Sequence, residues 1–421
     1  FDSGNGDLVV EFEILPDQST FEVHLLSAIP DAPPALALEN LADSSPPQDE
    51  TLRRIYVRPD EFGQALLPLV ERRGPGTVVI SPQQAYDRYS YGIASPDAIR
   101  EALAAILAAS SNRAAIPSVL LAGYATFDPA NYMGLLDSPT VPGFIQKSAG
   151  ASIGQIDMMV DYEFALLEGD DDLPDAAVGR IPAKTPEELT RAVDRILDYG
   201  QNEKFLSDPE RGALFVADAN QEFISDQDKW VNIWMESGRP SYRIDSNDTN
   251  TTPEHDEIML ELQAPPGHLL AQYTGHGNTN RWGSRSLLTT TDAFALESDG
   301  IWPIVATFTC LNGYYSFPGA PDSLCQAWLF ADPAKGSVAN ISPAGVDYYD
   351  NEALYVGAIM SDRSPVSTRL GRRDGFLMDT DWLTISLDSY NDHRTGYKFE
   401  VNPSGVRGDE ALSGGQDRHG D

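Results

Sequence analysis

Only two cysteines, Cys310 and Cys325, and six histidines occur in 421 residues. Two thiols cannot build the disulfide framework of a small secreted scaffold, so each is read on its own chemistry. No apolar run approaches the roughly 18 residues that a membrane-crossing helix needs, which excludes a helical span from the sequence pattern. Cations are short as well: 29 Lys and Arg stand against 64 Asp and Glu, a formal charge of −35. Phosphate backbones are bound by neutralising them with Lys and Arg, so nucleic acid is excluded as a partner. Such a surface suits a calcium-rich or saline exterior, where counterions screen self-repulsion. Lysine is scarce beside arginine, a bias produced equally by salt adaptation and by a GC-rich genome. What is present is an ordinary globular composition, 41% hydrophobic and 9% aromatic, long enough for two or three domains.

The chain opens at Phe1 with neither initiator Met nor signal peptide, and it ends at Ser-Gly-Gly-Gln-Asp-Arg-His-Gly-Asp. Both ends read as cut from something longer, so missing targeting signals carry no weight. Residues 8–27 alternate apolar and polar as strands do, and the Pro-, Ala- and acid-rich stretch 29–50 reads as a linker. From residue 55, short apolar runs alternate with amphipathic helices. In TPEELTRAVDRILDYG, Thr185 is the expected N-cap, Pro186 the first helical residue and Glu188 the capping-box partner, with Gly200 as the stop. The alternation restarts at GALFVAD and continues through SYRID, PEHDEIMLELQ, HLLAQYT, IWPIVATFT, SLCQAWLF and GSVANIS. Continuous apolar strands between helices predict parallel sheets covered on both faces. The expected organisation is a β segment and linker over 1–50, two consecutive α/β units over 51–205 and 206–345, and an incomplete β-sandwich over 346–421.

In an open parallel sheet, reactive groups gather beyond the carboxyl ends of the strands. His276 follows HLLAQYTG and Cys310 follows IWPIVATFT, so neighbouring strands would present both at one sheet edge. A thiol becomes a useful nucleophile when an imidazole takes its proton or stabilises the thiolate. Gly275 and Gly277 then allow a sharp turn and the approach of a carbonyl, with the amides of Gly277 and Cys310 as an oxyanion hole. Taken alone, Gly-His-Gly is usually a turn and a cysteine after a strand is usually core; the pairing at matching strand ends is what points to catalysis. A metal at His276 finds no further His or Cys at ligand spacing.

Those residues carry a resemblance. YTGHG followed by Trp282, then a strand ending in Thr-Cys-Leu-Asn-Gly, resembles the gingipain-like cysteine peptidases of the caspase clan, and PSVLLAGYATFDP, LLEGDDDLPDAAVGRIPAKTPEEL and SLCQAWLFADPAKGSVANISPAG extend it over about residues 55–345. The resemblance implies a caspase-like α/β fold and peptide-bond cleavage through an acyl-enzyme. Cys310 would be the nucleophile and His276 the general acid/base, acting on protein or peptide substrates without a cofactor. It also implies an exported or envelope protein. Asp218, with Glu222 as runner-up, is the candidate for a histidine-orienting carboxylate. Basic-residue preference in this family comes from an acid in the first pocket, for which Asp226, Asp228 and Asp322 are candidates. Trp282, Tyr314, Tyr315 and Phe317 are candidate pocket walls. The run around Asp170, Asp172 and Asp175 offers oxygens for a structural calcium but lacks EF-hand spacing. Cys325, on the apolar face of a helix, reads as a buried structural residue. Residues after 346 resemble part of a family-nine-type carbohydrate-binding module. Two other functions share the fold expectation: a surface transpeptidase using the same acyl-enzyme, and a non-catalytic scaffold.

Overall fold

The computed structural model describes residues 51–346, apart from 130, 136–140, 148–155, 170–172, 202–206, 248–251, 298–301 and 333–334, together with the backbone of 383–387, 395–401 and 407–413. The strands expected over 8–27 and the possible calcium ligands Asp170 and Asp172 lie outside these residues.

The first half runs β1 (Leu52–Val57), α1 (Gly63–Arg73), β2 (Thr77–Ile80), α2 (Pro82–Tyr89), α3 (Pro96–Ala109) and β3 (Arg113–Ala122). It continues through an antiparallel hairpin of β4 (Phe144–Lys147) and β5 (Asp157–Val160) to β6 (Ala177–Ile181) and α4 (Pro186–Gln201). The main strands pair in parallel in the order β2-β1-β3-β6. Adjacent residues of β1 serve opposite faces: Ile55 packs with Ile99 and Leu103, whereas Tyr56 packs with Leu66 and Leu189. A strand covered on both sides has no polar face to alternate, which is why the sequence shows continuous apolar runs.

Helix α4 starts as expected, with Thr185 Oγ1 accepting the Glu188 N–H at 3.2 Å, while Glu188 itself accepts the Lys184 N–H at 2.6 Å. It does not stop at Gly200: the helix runs through it to Gln201. Helix α2 has no counterpart in the sequence reading, although Ser81 and Gln84 form a full capping box.

The second half runs β7 (Gly212–Ala217), α5 (Gln221–Met235), β8 (Ser241–Asp245), α6 (Thr252–Gln263) and β9 (His268–Thr274). A small antiparallel sheet of β10 (Gly277–Asn278), β11 (Arg281–Trp282) and β12 (Leu288–Thr289) follows, then α7 (Thr290–Ala295), β13 (Ile304–Phe308), α8 (Leu324–Phe330) and β14 (Ala339–Ile341). The large strands form a five-stranded parallel sheet in the order β14-β13-β9-β7-β8. All six residues of β7 are buried. Helix α5 and the β10–β12 sheet are absent from the sequence reading. Gln227 is the one fully buried residue of α5, whose contacts with the sheet are aromatic: Trp230 stacks on Phe308 at 5.2 Å and Trp234 meets Phe215 edge-on at 6.3 Å. Its apolar residues Phe223, Ile224, Trp230, Val231 and Trp234 do recur at helical spacing, interrupted by the buried Gln227.

From β7 the chain passes to β8 on one side and then returns to β9 on the other. That reversal opens a crevice at the carboxyl ends of β7 and β9, the usual ligand position in an open α/β sheet. The halves are joined by Arg195 of α4. Its buried guanidinium donates to the carbonyls of Trp328, Leu329, Ala331, Asp332 and Ser337 at 2.8–3.2 Å. Burial, with Arg191 nearby, lowers its pKa to about 10.

Beyond these, β15 (Leu383–Leu387), β16 (Thr395–Val401) and β17 (Arg407–Ser413) form an antiparallel meander.

Candidate active site

Strands β9 and β13 are parallel neighbours with Thr274 opposite Phe308, and the Gly275 N–H donates to the Phe308 carbonyl at 3.1 Å. His276 and Cys310 each lie two residues beyond that last pair. Equal offsets on in-register parallel strands place both residues at the same height on the sheet edge. His276 is exposed and Cys310 half-buried.

The backbone of His276 is held from three sides. Its N–H donates to Asp218 Oδ2 at 3.2 Å, and its carbonyl accepts the Tyr273 hydroxyl at 2.5 Å and the Gly283 N–H at 2.7 Å. Asp218 follows β7 and is itself tied to β9, its N–H donating to the Thr274 carbonyl at 2.9 Å; its other carboxylate oxygen accepts the Ala219 N–H at 2.9 Å. The carboxylate thus engages backbone amides: it positions the segment that carries His276 rather than the imidazole. Tyr273 is fully buried and stacks flat on Trp282 at 4.9 Å. Burial foremost, then the charges at Asp218 and Cys310, hold its phenol well above the ordinary range, so it remains a neutral donor.

The imidazole has different neighbours. The Asn220 carboxamide lies 3.4 Å from Nε2, and the Phe223 ring meets the imidazole edge-on at 5.1 Å with an 87° interplanar angle. Neither residue was legible as part of the site. The available signal was a helix-capping residue type, Asn, two positions after Asp218 and three after the end of β7.

The flanking glycines have a packing reason beyond turning. A Cβ on Gly275 would sit 2.3 Å from Asp218 Cβ and 2.5 Å from the Tyr273 hydroxyl, and one on Gly277 would sit 2.4 Å from Thr309 Oγ1. The His276 segment is therefore pressed against both neighbouring strand ends. The Gly283-to-His276 bond makes that pair the hydrogen-bonded kind, so the next pair, Gly277 and Trp282, is the other kind. Its N–H groups point outward, and that of Gly277 is directed away from β11.

On the Cys310 side, Leu311 adopts φ +64°, a left-handed conformation that costs a branched side chain about 1–3 kcal/mol. The bend is held by the Leu311 N–H donating to the Gly345 carbonyl at 2.9 Å and by Asn312, which is 0% exposed. Asn312 Nδ2 donates to the carbonyls of Asn278 at 2.6 Å and Arg281 at 3.2 Å, locking the β10–β11 hairpin to the loop that follows Cys310.

The remaining candidates are scattered. Trp282 is fully buried between Tyr273 and Trp328, so it is a core residue and not an open pocket wall. Tyr314 is half-buried against Phe127 at 5.5 Å, Tyr315 is half-buried beside Tyr124, and Phe317 is exposed. Each nominated pocket acid is already ion-paired: Asp322 with Lys184 at 3.0 Å, Asp226 with Lys229 at 2.8 Å, and Asp228 with Arg243. Glu222 is exposed in the first turn of α5. Asp175 accepts the N–H groups of Leu167 and Glu168, and no cluster of three metal-ligating side chains occurs among the described residues. Cys325 is buried, and burial raises its thiol to about 11.

Residues 48–372 match peptidase family C25, about three quarters of the chain, and the match runs past residue 345, where the sequence pattern suggested a boundary. Gingipain R2 of Porphyromonas gingivalis (strain ATCC BAA-308 / W83) is 27% identical over 196 residues, 43% of this chain and 25% of that protein. Gingipain R1 of the same species is 26% identical over 196 residues, 43% of this chain and 19% of that protein. The chain thus spans a quarter or less of the length of these curated relatives. The crystal structure of the Arg specific cysteine proteinase gingipain R (RGPB) superposes with a TM-score of 0.55 at 21% identity, covering 72% of this chain and 65% of that one. The complex of Porphyromonas gingivalis RgpB pro- and mature domains gives 0.54 at 22%, covering 70% and 65%. These likenesses establish the caspase-like α/β fold.

Proposed function

The chain belongs to peptidase family C25, a family of cysteine-type peptidases, and from that premise we propose that Cys310 and His276 form the dyad of an endopeptidase. The observation that supports this most is the matched offset of the two residues beyond the last paired residues of β9 and β13. The Cys310 thiol gives its proton to the imidazole as sulfur bonds to the scissile carbonyl carbon, whose oxygen takes the negative charge. The amides of Gly277 and Cys310 receive that oxygen; one such donor is worth about 3–4 kcal/mol in the transition state. The imidazolium then protonates the leaving amine as the C–N bond breaks, giving a thioester. Water, deprotonated by the same imidazole, attacks the thioester and releases the acid and the free thiol. Protein or peptide substrates and a location outside the cell or in its envelope belong to this proposal. No cofactor is needed for the chemistry.

The test is labelling with acyloxymethyl-ketone peptides carrying Arg, Lys, Asp or Leu at the first position, read by intact mass. Covalent mass on Cys310, lost in Cys310→Ala and in His276→Ala, is expected. A folded protein that no member of the panel labels would sink the reading.

A further inference from the structure

We propose that Asn220 is the positioning residue of His276: its carboxamide holds the imidazole with Nε2 protonated and the Nδ1 lone pair turned to Cys310. This rests on the dyad reading above and adds the group that orients its base.

Three observations carry it. The first is the contact itself. The carboxamide lies 3.4 Å from Nε2. A half-turn about the Cβ–Cγ bond exchanges amide oxygen and nitrogen in the same place, so Oδ1 can accept the Nε2–H. The separation is long for a formed hydrogen bond, as contacts of catalytic groups often are without substrate.

The second is what Asn220 forgoes. It is the N-cap of α5, with φ −68° and ψ 135°, a place where an Asn side chain normally accepts a first-turn N–H. Here the side chain makes no cap hydrogen bond. An exposed Asn that leaves its helix uncapped and faces an imidazole breaks a local rule, and such breaks concentrate at functional sites.

The third is that, among the described residues, the neighbouring acid and phenol are engaged elsewhere than at Nε2. Asp218 engages the backbone N–H of His276 and that of Ala219, and Tyr273 engages the His276 carbonyl. Cys310 stands on the adjoining strand end and Glu222 in the first turn of α5; neither Asp218 nor Tyr273 bonds a ring nitrogen. Phe223, from the first turn of the same helix, closes one side of the imidazole. Helix α5 is in turn anchored under the site by Trp230 stacking on Phe308 of β13. The base and the strand that carries the nucleophile are thus referenced to one helix.

A neutral carboxamide has a consequence distinct from that of a carboxylate. It fixes the tautomer without adding the negative charge that would stabilise the imidazolium. The test uses the full chain. In a Cys310→Ala background, nitrogen NMR of the imidazoles, assigned by difference against His276→Gln, reads the tautomer directly. The Nε2–H form should dominate with Asn220 and give way to a mixture in Asn220→Ala.

In the active protein, Asn220→Ala should lower kcat/KM by about 10-fold to 100-fold, the size of loss that follows removal of a group orienting a metal-bound histidine, mostly in kcat, with the melting temperature unchanged because no cap is lost. Asn220→Asp restores an acceptor and adds a charge. It should recover much of the rate. An unchanged tautomer in Asn220→Ala together with wild-type kcat/KM would overturn the assignment. So would a rate loss that merely tracks a lowered melting temperature. Failure of the dyad reading shows separately, as turnover retained by Cys310→Ala, and the imidazole spectrum still decides where Asn220 acts.

Discussion

Replacing Gly275 by alanine tests how tightly the site is built, because the structure sets the size of the effect. The added methyl would lie 2.3 Å from Asp218 Cβ, 2.5 Å from the Tyr273 hydroxyl and 2.9 Å from Tyr273 Cζ. Ordinary contact needs about 3.4 Å, so one side must yield by about 1 Å. Tyr273 cannot, being stacked on Trp282 and fully buried. Asp218 sits at the end of the buried β7 and holds the His276 N–H. The segment carrying His276 therefore moves. A misplacement of about 1 Å near a reacting group costs about 100-fold in rate, and overpacking of this kind costs about 1–3 kcal/mol of stability. The assay is the second-order rate of Cys310 labelling by the best ketone probe, beside chemical denaturation. Gly179→Ala is the control, since nothing lies within 4 Å of a Cβ there. Labelling at the wild-type rate by Gly275→Ala would refute the claim that Gly275 is required for close packing of Asp218, Tyr273 and His276.

Three further outcomes are expected. Arg195→Met removes the donor shared by five carbonyls at the junction of the two halves; a loss of about 3–5 kcal/mol in urea unfolding is expected, and a loss under about 1 kcal/mol would show that water replaces the guanidinium. Cys325 titrates in the folded state at about 11, up from 9.0, because it is buried; the unfolded thiol ionises first, so its contribution is complete below about pH 9 and is lost as pH rises through 11. By pH 10 the loss is about 1.4 kcal/mol, and Cys325→Ala should flatten that part of the stability curve. Asp322→Asn should leave the order of preference among Arg, Lys, Asp and Leu probes unchanged, since Lys184 already neutralises the carboxylate; selective loss of Arg labelling would return Asp322 to the pocket.

The sequence-based reading was reliable where local pattern reports tertiary environment. An all-apolar strand such as β7 is covered on both faces, and its sequence says so. Helix α4 announces its start because capping is decided by residues within one turn of each other. Helix α5 was missed because the polar residues 225–229, including the buried Gln227, interrupt the apolar stripe of Phe223, Ile224, Trp230, Val231 and Trp234. Asn220 went unread with it, as did the β10–β12 sheet that Asn312 locks to the Cys310 loop.

By itself, the sequence determined the strand ends, and with them that a histidine and a cysteine each stand just past a buried strand. It also determined the acidity of the chain and, through the long colinear match, the family. Only the tertiary structure decided that β9 and β13 are in-register neighbours, since pairing between strands depends on sheet order and no local periodicity encodes it. It likewise decided that Trp282 is core, that Asp226, Asp228 and Asp322 are already neutralised, and that Asp218 holds the backbone while Asn220 faces the ring. Apart from the Asp226–Lys229 pair, which lies within one turn of α5, each of those depends on which distant residue arrives alongside, a property of the folded chain and not of any segment in it.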